Sequence, residues 1–242
     1  MSELARLDPD AFKSVRRWAA ALTVIGGASV IGALWMVFFY VPTEATMGVM
    51  QRIYYIHIPT AWLGEFAFFL VALCSAGYLL LHDDRLDSIA LSAAEVGFIF
   101  LTGTLVAGPL WARLAWGAWW VWDARLAFSL LLWLIWIAYF ILRQAMDDPE
   151  TGKRMAAILA IIGALDLPLI HMSVYWFDTV HPEPVMMNPE GPTADFEIGI
   201  TIGASVTAFT IFFFGILLYR YGLERLQRQV EFLRVAQLRR ST

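Results

Sequence analysis

Charged residues are scarce in this chain, and cysteine is almost absent. Only 16% of the 242 residues are charged, whereas a soluble domain is usually about a quarter charged. Hydrophobic residues make up 60% of the chain, so the composition predicts an integral membrane protein. The single cysteine, Cys74, lies within the apolar run FFLVALCSAGYLL. One cysteine excludes an internal disulfide, a CxxC redox pair and a CxxCH haem-attachment motif.

Nucleotide-binding motifs are missing as well. No GxxxxGK phosphate-binding loop occurs, so any use of ATP would have to come from a partner subunit. The sequence shows no internal repeat and no soluble domain, and we expect no nucleic-acid partner. These absences favour a membrane component without its own ATPase over an enzyme.

Long apolar stretches alternate with polar loops along the chain. Each stretch is close to the roughly 20 residues that cross a hydrocarbon core. A basic tail follows the last stretch; it could lie on the anionic inner leaflet, dock a cytoplasmic partner or simply extend the last helix. We predict a single all-α membrane domain over residues 1–242, with a tail at 220–242 and transmembrane helices at about 18–40, 60–81, 89–110, 126–142, 154–176 and 198–219.

The distribution of Lys and Arg predicts the orientation. Fourteen of the 17 basic residues lie in the N-terminal segment, the 82–88 loop, the 143–154 loop and the tail. The other three loops hold only Arg52, Arg113 and Arg125. The positive-inside rule therefore predicts that both termini are cytoplasmic and that the other three loops face outward, to the periplasm of a bacterium.

The segment WARLAWGAWWVWDAR, between the third and fourth predicted spans, is unusually aromatic. Indole rings are flat and amphipathic, so membrane interfaces favour them as an aromatic belt. Several indoles in one loop could equally form a shelf for a large, flat, apolar ligand. The residue types alone leave both interpretations open. The residues concerned are Trp111, Trp116, Trp119, Trp120 and Trp122, followed by Asp123 and Arg125.

Two histidines are predicted on the same outward face as this aromatic segment. His57 lies in the loop before the second span, and His181 lies just after the fifth. Two imidazoles on opposite sides of a planar macrocycle would make bis-histidine haem ligation. The alternative for each is a partly exposed polar residue. His171 is predicted inside the fifth span and His82 in a cytoplasmic loop.

Two arginines lie on the outward side, where the charge rule disfavours them. Arg52 precedes His57 by five residues, and Arg125 follows Asp123 by two. A guanidinium matches a carboxylate with two parallel hydrogen bonds, so haem propionates would explain both positions. A local ion pair of Arg125 with Asp123 or Asp178 is the alternative.

Ionisable residues within membrane spans indicate function or helix association. Glu65, Glu95 and Asp166 either join helices or mark a polar path. A path that includes His171 would suit a transporter of haem or of a smaller solute. A third hypothesis, a cytochrome subunit of a quinone enzyme, would usually place histidine pairs inside the spans, where only His171 is expected.

Three stretches resemble one known family. WGAWWVWDARL is similar to the tryptophan-rich WWD signature of the haem-handling proteins of c-type cytochrome biogenesis. YYIHIPTAW and LPLIHMSVYWFDTVH resemble the histidine-bearing segments of the CcmC branch of that family. The larger relatives CcmF and CcsA share the signature but are longer or have more spans. The resemblance extends over nearly the whole chain, with departures at Phe177 and Pro182.

The resemblance implies a haem-delivery role rather than an enzyme. It implies that His57 and His181 are axial ligands of a non-covalent, b-type haem. The Trp111–Arg125 segment would then bind the haem plane. The implied partners are the ABC-type subunits CcmA and CcmB, the small subunit CcmD and the haem chaperone CcmE.

Overall fold

The architecture is a bundle of long helices. The structure, a computed structural model, describes residues 9–182 and 194–241, and no strand occurs within those ranges. A π-helical turn at Met36–Tyr40 extends the first helix, and a 3-10 turn at Val49–Ile53 precedes the second. The α-helices are α1 (Pro9–Trp35), α2 (Tyr54–Leu81), α3 (Asp84–Ala115), α4 (Ala124–Ala145), α5 (Pro149–Gly163), α6 (Asp166–Trp176) and α7 (Phe196–Ser241).

The predicted fold class is confirmed. Six helical segments within the described ranges are long and apolar enough to cross a membrane, with α5 and α6 forming one of them. All six are longer than predicted, because each helix continues past its apolar window into the flanking polar residues. The predicted outward loop before the second span is therefore shorter, and His57 lies in the first turn of α2 rather than in a loop.

Aspartate caps start three of these helices. Asp83 accepts a hydrogen bond from the Arg85 amide before α3, and Asp123 accepts one from the Leu126 amide before α4, both at 2.9 Å. Asp148 accepts from the Thr151 amide before α5 at 3.0 Å. Each carboxylate accepts a hydrogen bond from one of the backbone N–H groups that have no partner within the helix at its N-terminus. The carboxylates thus set where α3, α4 and α5 begin.

Small residues bring α2 and α3 into close contact at the centre of the bundle. A Cβ placed on Gly97 would overlap the Cβ of Ala67, and one on Gly64 would lie 2.9 Å from the Cβ of Leu101. Without these side chains the two backbones can approach, which is how helices commonly associate in membranes. Trp136 of α4 packs against this pair and is fully buried.

A break separates α5 from α6. Pro168 has no backbone N–H, and its ring would clash with the carbonyl of Ala164 in a continuous helix. The helix accordingly interrupts at Ala164 and Leu165 and resumes at Asp166. The break places Asp166 in the bundle interior, where it is buried.

The basic tail continues α7 without interruption. A helix of 46 residues is about 69 Å long, more than twice the roughly 30 Å of a hydrocarbon core. The extension packs back on the bundle through Arg228, whose Nη2 lies 2.6 Å from Asp87 Oδ2. The tail is therefore a direct extension of the last helix, and its contact with the inner leaflet or a cytoplasmic partner stays a prediction.

Candidate functional site

A cavity of about 260 Å³ lies at the end of the bundle opposite to the start of α1 and the end of α7. Its volume is just below the usual range for small-molecule sites, about 300–1,000 Å³. Its walls come from α2, α3, α4, α6 and the segments after Ala115 and after Trp176. The wall is mainly apolar and aromatic, with a few charged or histidine side chains: His57, Glu65, Arg125, His171 and His181.

His57 projects into the cavity from the first turn of α2. Its Nδ1 is buried and has no hydrogen-bond partner among the residues described. Gly108 of α3 faces the ring, and a Cβ at that position would lie 3.3 Å from His57 Cε1. The absence of a side chain at Gly108 therefore leaves space for the imidazole.

His181 reaches the same cavity from the segment after α6. Its Nδ1 lies 2.9 Å from the Pro182 carbonyl oxygen. A carbonyl only accepts hydrogen bonds, so Nδ1 carries the proton and Nε2 keeps a free lone pair. Burial, with the positive charge of Arg125 next in effect, lowers the pKa of His181 to about 4. The imidazole is thus neutral near pH 7, the form that ligates metals.

Arg125 and three of the five predicted tryptophans line the cavity. Trp111, Trp116 and Trp120 all contribute to its wall. Within residues 13–182 and 194–238, whose side chains are described, Trp111 Nε1, Trp120 Nε1 and Arg125 Nη1 are buried without a hydrogen-bond partner. Such groups are usually paired, so each needs an explanation.

Four predicted site residues are absent from the cavity wall: Arg52, Trp119, Trp122 and Asp123. The side chains of Trp119 and Trp122 are 56% and 80% exposed and are absent from the cavity wall. The Arg52 guanidinium lies 5.5 Å from the centre of the Phe38 ring, and this residue does not line the cavity either. The Trp-rich segment is also not one loop, because Trp111 lies within α3.

Asp123 makes hydrogen bonds to two segments next to the cavity, the start of α4 and the segment after α6. Its Oδ1 caps α4, and its Oδ2 accepts a hydrogen bond from Thr179 Oγ1 at 2.7 Å. Asp123 is absent from the cavity wall, whereas Arg125, two residues later, lines it. Neither predicted ion-pair alternative for Arg125, with Asp123 or with Asp178, forms within 4.0 Å in the described part of the chain.

Glu65 and His171 belong to the cavity wall, although neither was predicted as a site residue. His171 Nε2 lies 2.8 Å from Glu65 Oε2, and both side chains line the cavity. The two positions are far apart in sequence, and each alone is consistent with helix association. Their only signal was that both are polar residues within predicted spans.

The polar path of the transporter hypothesis is not assembled in the part of the chain that is described. Glu95 pairs with Arg220, whose Nη2 lies 2.7 Å from Glu95 Oε1 and so joins α3 to α7. His171 pairs with Glu65 instead. Both carboxylate oxygens of Asp166 are buried without a partner in those ranges. The three residues therefore form no continuous hydrogen-bonded chain.

The donor set fits a planar iron porphyrin. Imidazole nitrogens are good iron ligands, indole faces accept a flat apolar ring, and a guanidinium binds a carboxylate. The unpaired nitrogens of His57, Trp111, Trp120 and Arg125 are the atoms that such a ligand could engage. Fold and cavity thus define an all-helical, multi-pass membrane protein with an aromatic, histidine-bearing site at one end.

Comparison with known proteins is consistent with this class. Residues 4–236 match the family described as CcmC, heme exporter protein C. The chain is 35% identical to "Heme exporter protein C" of Bradyrhizobium diazoefficiens over 92% of this chain and 83% of that protein. It is 31% identical to "Heme exporter protein C" of Haemophilus influenzae, over 83% of this chain and 81% of the relative.

A relative outside the bacteria matches too. A "Putative cytochrome c biosynthesis ccmC-like mitochondrial protein" of Marchantia polymorpha is 31% identical over 75% of each chain. The protein belongs to the CcmC family. This membership supports a role in haem handling for cytochrome c maturation.

Proposed function

We propose that this protein binds haem non-covalently in the cavity and presents it for attachment to c-type cytochromes. His57 and His181 act as the two axial ligands of the iron. The observation that carries the proposal is the convergence of these two histidines, from segments more than 120 residues apart, on one aromatic cavity. Family membership supports haem as the cargo.

Each part of the cavity has a chemical task in this proposal. The free Nε2 of His181 is the ligating atom on one side, since Nδ1–H is held by the Pro182 carbonyl. The indoles of Trp111, Trp116 and Trp120 contact the porphyrin plane. Arg125 binds a propionate, which gives its buried Nη1 a partner and compensates its positive charge.

The orientation and the partners follow from the family and from the basic residues. The cavity end faces the periplasm, because the opposite end carries most of the Lys and Arg residues. The chaperone CcmE receives the haem there. The subunits CcmA and CcmB supply ATP hydrolysis, since this chain has no GxxxxGK motif. The small subunit CcmD completes the complex. Release requires that the two iron–imidazole bonds break.

An absorption spectrum of the detergent-purified protein tests the proposal. Wild type is compared with His57→Ala and His181→Ala, in the absence of the chaperone. We expect a low-spin, six-coordinate haem spectrum in wild type that is lost in each variant. His82→Ala is the matched control, because His82 lies at the opposite end of the bundle and follows α2.

Two results would contradict the ligand assignment. One is a low-spin spectrum that persists in both single variants. The other is wild-type protein that never carries haem, even when purified haem is added. Loss of the spectrum in His82→Ala as well would indicate general instability, which thermal unfolding of the same samples would reveal.

A further inference from the structure

His181 is held in place by a short chain of hydrogen bonds that starts at the Trp-rich segment. Asp123 Oδ2 accepts from Thr179 Oγ1 at 2.7 Å. Thr179 Oγ1 in turn accepts from the His181 backbone N–H at 3.1 Å. The hydroxyl therefore donates its hydrogen to the carboxylate and accepts a hydrogen bond from the histidine amide. A single orientation of the O–H group satisfies both bonds.

The segment that carries His181 has little other regular structure. Helix α6 ends at Trp176, and no helix or strand is formed from Phe177 to Pro182. Phe177 and Val180 are about half exposed, at 53% and 50%, so their side chains contribute little packing. The position of His181 therefore depends strongly on hydrogen bonds. The Thr179 hydroxyl makes two of them, one to the Asp123 carboxylate and one to the His181 backbone N–H.

The same carboxylate also sets the position of Arg125. Asp123 Oδ1 accepts from the Leu126 amide and caps α4, which begins one residue before Arg125. One side chain thus connects the helix that carries the cavity arginine to the segment that carries the cavity histidine. Movement of either segment relative to the other would break the bond between Asp123 and Thr179.

We propose that Thr179 is a positioning residue, which together with Asp123 forms a clasp that holds His181 in the geometry for iron ligation. This inference rests on the proposed function, because it concerns the ligand assigned there. Opening of the clasp moves His181 away from the iron and speeds haem release. Hydrogen-bond partners of a metal-ligating histidine ring typically contribute about 10–100-fold to metal affinity or activity, and we expect an effect on this scale from the hydroxyl that holds the His181 backbone.

The hydroxyl can be removed and restored with little change in volume. Thr179→Val keeps the β-branched shape and removes the donor and acceptor. Thr179→Ser keeps the hydroxyl and serves as the matched control. Val180→Ala controls for general disturbance of the segment, since Val180 is exposed and adjacent. All variants are made in the full chain and loaded with haem.

Two readouts distinguish positioning from a purely structural role. The first is the rate of haem transfer to excess apomyoglobin, which we expect to rise about 10–100-fold in Thr179→Val and to stay near wild type in Thr179→Ser. The second is the low-spin absorption band. We expect this band to weaken in Thr179→Val and to recover on addition of free imidazole, which can occupy the vacated iron position.

Several outcomes would overturn the clasp while leaving the proposed function intact. Transfer rates and spectra of Thr179→Val equal to wild type, with His181→Ala still losing the band, would do so. An equal weakening of the low-spin band and an equal rise in transfer rate in Thr179→Val and Thr179→Ser would also contradict it, because restoring the hydroxyl would then have no effect. If His181→Ala keeps the band, the ligand assignment itself fails, and the result is distinguishable from failure of the clasp.

Discussion

His171 and Glu65 form a close pair on the wall of the cavity, with 2.8 Å between His171 Nε2 and Glu65 Oε2. The pair joins α6 to α2. The Glu65 side chain is 12% exposed and the His171 side chain is 49% exposed. The carboxylate thus lies against the bundle, and the imidazole lies at its edge. This contact fixes the second half of the broken fifth span against the helix that carries His57.

The pair predicts a difference between two substitutions of Glu65. Glu65→Gln keeps an oxygen that accepts from the imidazole N–H, whereas Glu65→Leu removes the acceptor. We expect Glu65→Leu to be less stable than Glu65→Gln by about 1 kcal/mol, at the low end for an unpaired polar group because His171 is half exposed. Thermal unfolding in detergent measures the difference. Equal midpoints for the two variants would show that the contact adds no stability.

The close approach of Gly108 to His57 predicts a second pair of variants. A Cβ in Gly108→Ala would lie 3.3 Å from His57 Cε1, closer than an ordinary contact, so the ring has to shift. In Gly103→Ala, also on α3, the nearest atom would be Thr60 Cγ2 at an ordinary 3.7 Å. We expect weaker haem binding in Gly108→Ala only, measured by haem titration. A similar loss of haem affinity in Gly103→Ala would show that any added side chain on α3 weakens binding, and would contradict a specific effect on His57.

The buried ion cluster at the other end of the bundle predicts a large effect on stability. Asp87, with 3% of its side chain exposed, accepts from Arg143 at 2.6 and 2.9 Å and from Arg228 at 2.6 Å. Asp87→Ala would leave two guanidinium groups without this partner, and we expect a loss of about 3–5 kcal/mol.

The matched control for the ion cluster is Asp84→Ala. The Asp84 side chain is 56% exposed and lies 3.3 Å from Lys153 and 3.7 Å from Arg228, so it contacts the same Arg228 from a solvated position and we expect a loss of at most about 1 kcal/mol. Chemical unfolding in detergent compares the two variants. The haem spectrum of the folded fraction should be unchanged in both, because the cluster lies at the opposite end from the cavity. Equal losses in the two variants would contradict the cluster's role.

The pKa of His181 predicts how haem binding depends on pH. Burial and the nearby Arg125 charge lower this pKa from 6.5 to about 4. A lowered pKa means that the imidazole stays neutral, and able to ligate, as the pH falls through the usual histidine range. We expect the low-spin spectrum to be constant from about pH 8 to about pH 5 and to be lost as the pH approaches 4. A midpoint near 6.5 would contradict this environment for His181.

The fold could be predicted from the sequence because a membrane restricts the possible structures. A spanning segment must pair its backbone groups internally, so apolar stretches of sufficient length imply helices. The helix ends were less predictable. α3 extends to Ala115 and α2 starts at Tyr54, because caps and 3-10 turns rather than apolar composition decide where a helix stops.

The candidate site was predicted in part. His57, His181, Arg125 and three indoles were predicted and do line one cavity, whereas Arg52, Trp119, Trp122 and Asp123 do not. The segment from Trp116 to Asp123 is neither helix nor strand, so no sequence period distinguishes Trp120, which lines the cavity, from Trp119 and Trp122, which do not. The pairing of Glu65 with His171, 106 positions apart, has no counterpart in local sequence pattern.

The sequence by itself determined that this is a helical membrane protein of the tryptophan-rich, haem-handling type, because composition, span length and the aromatic motif are local properties of the chain. Only the tertiary structure decided which side chains meet. The rotation of each helix about its axis, the break before Asp166 and the bond between Asp123 and Thr179 bring His57 and His181 to the same cavity. These depend on packing between distant segments, which no local pattern specifies.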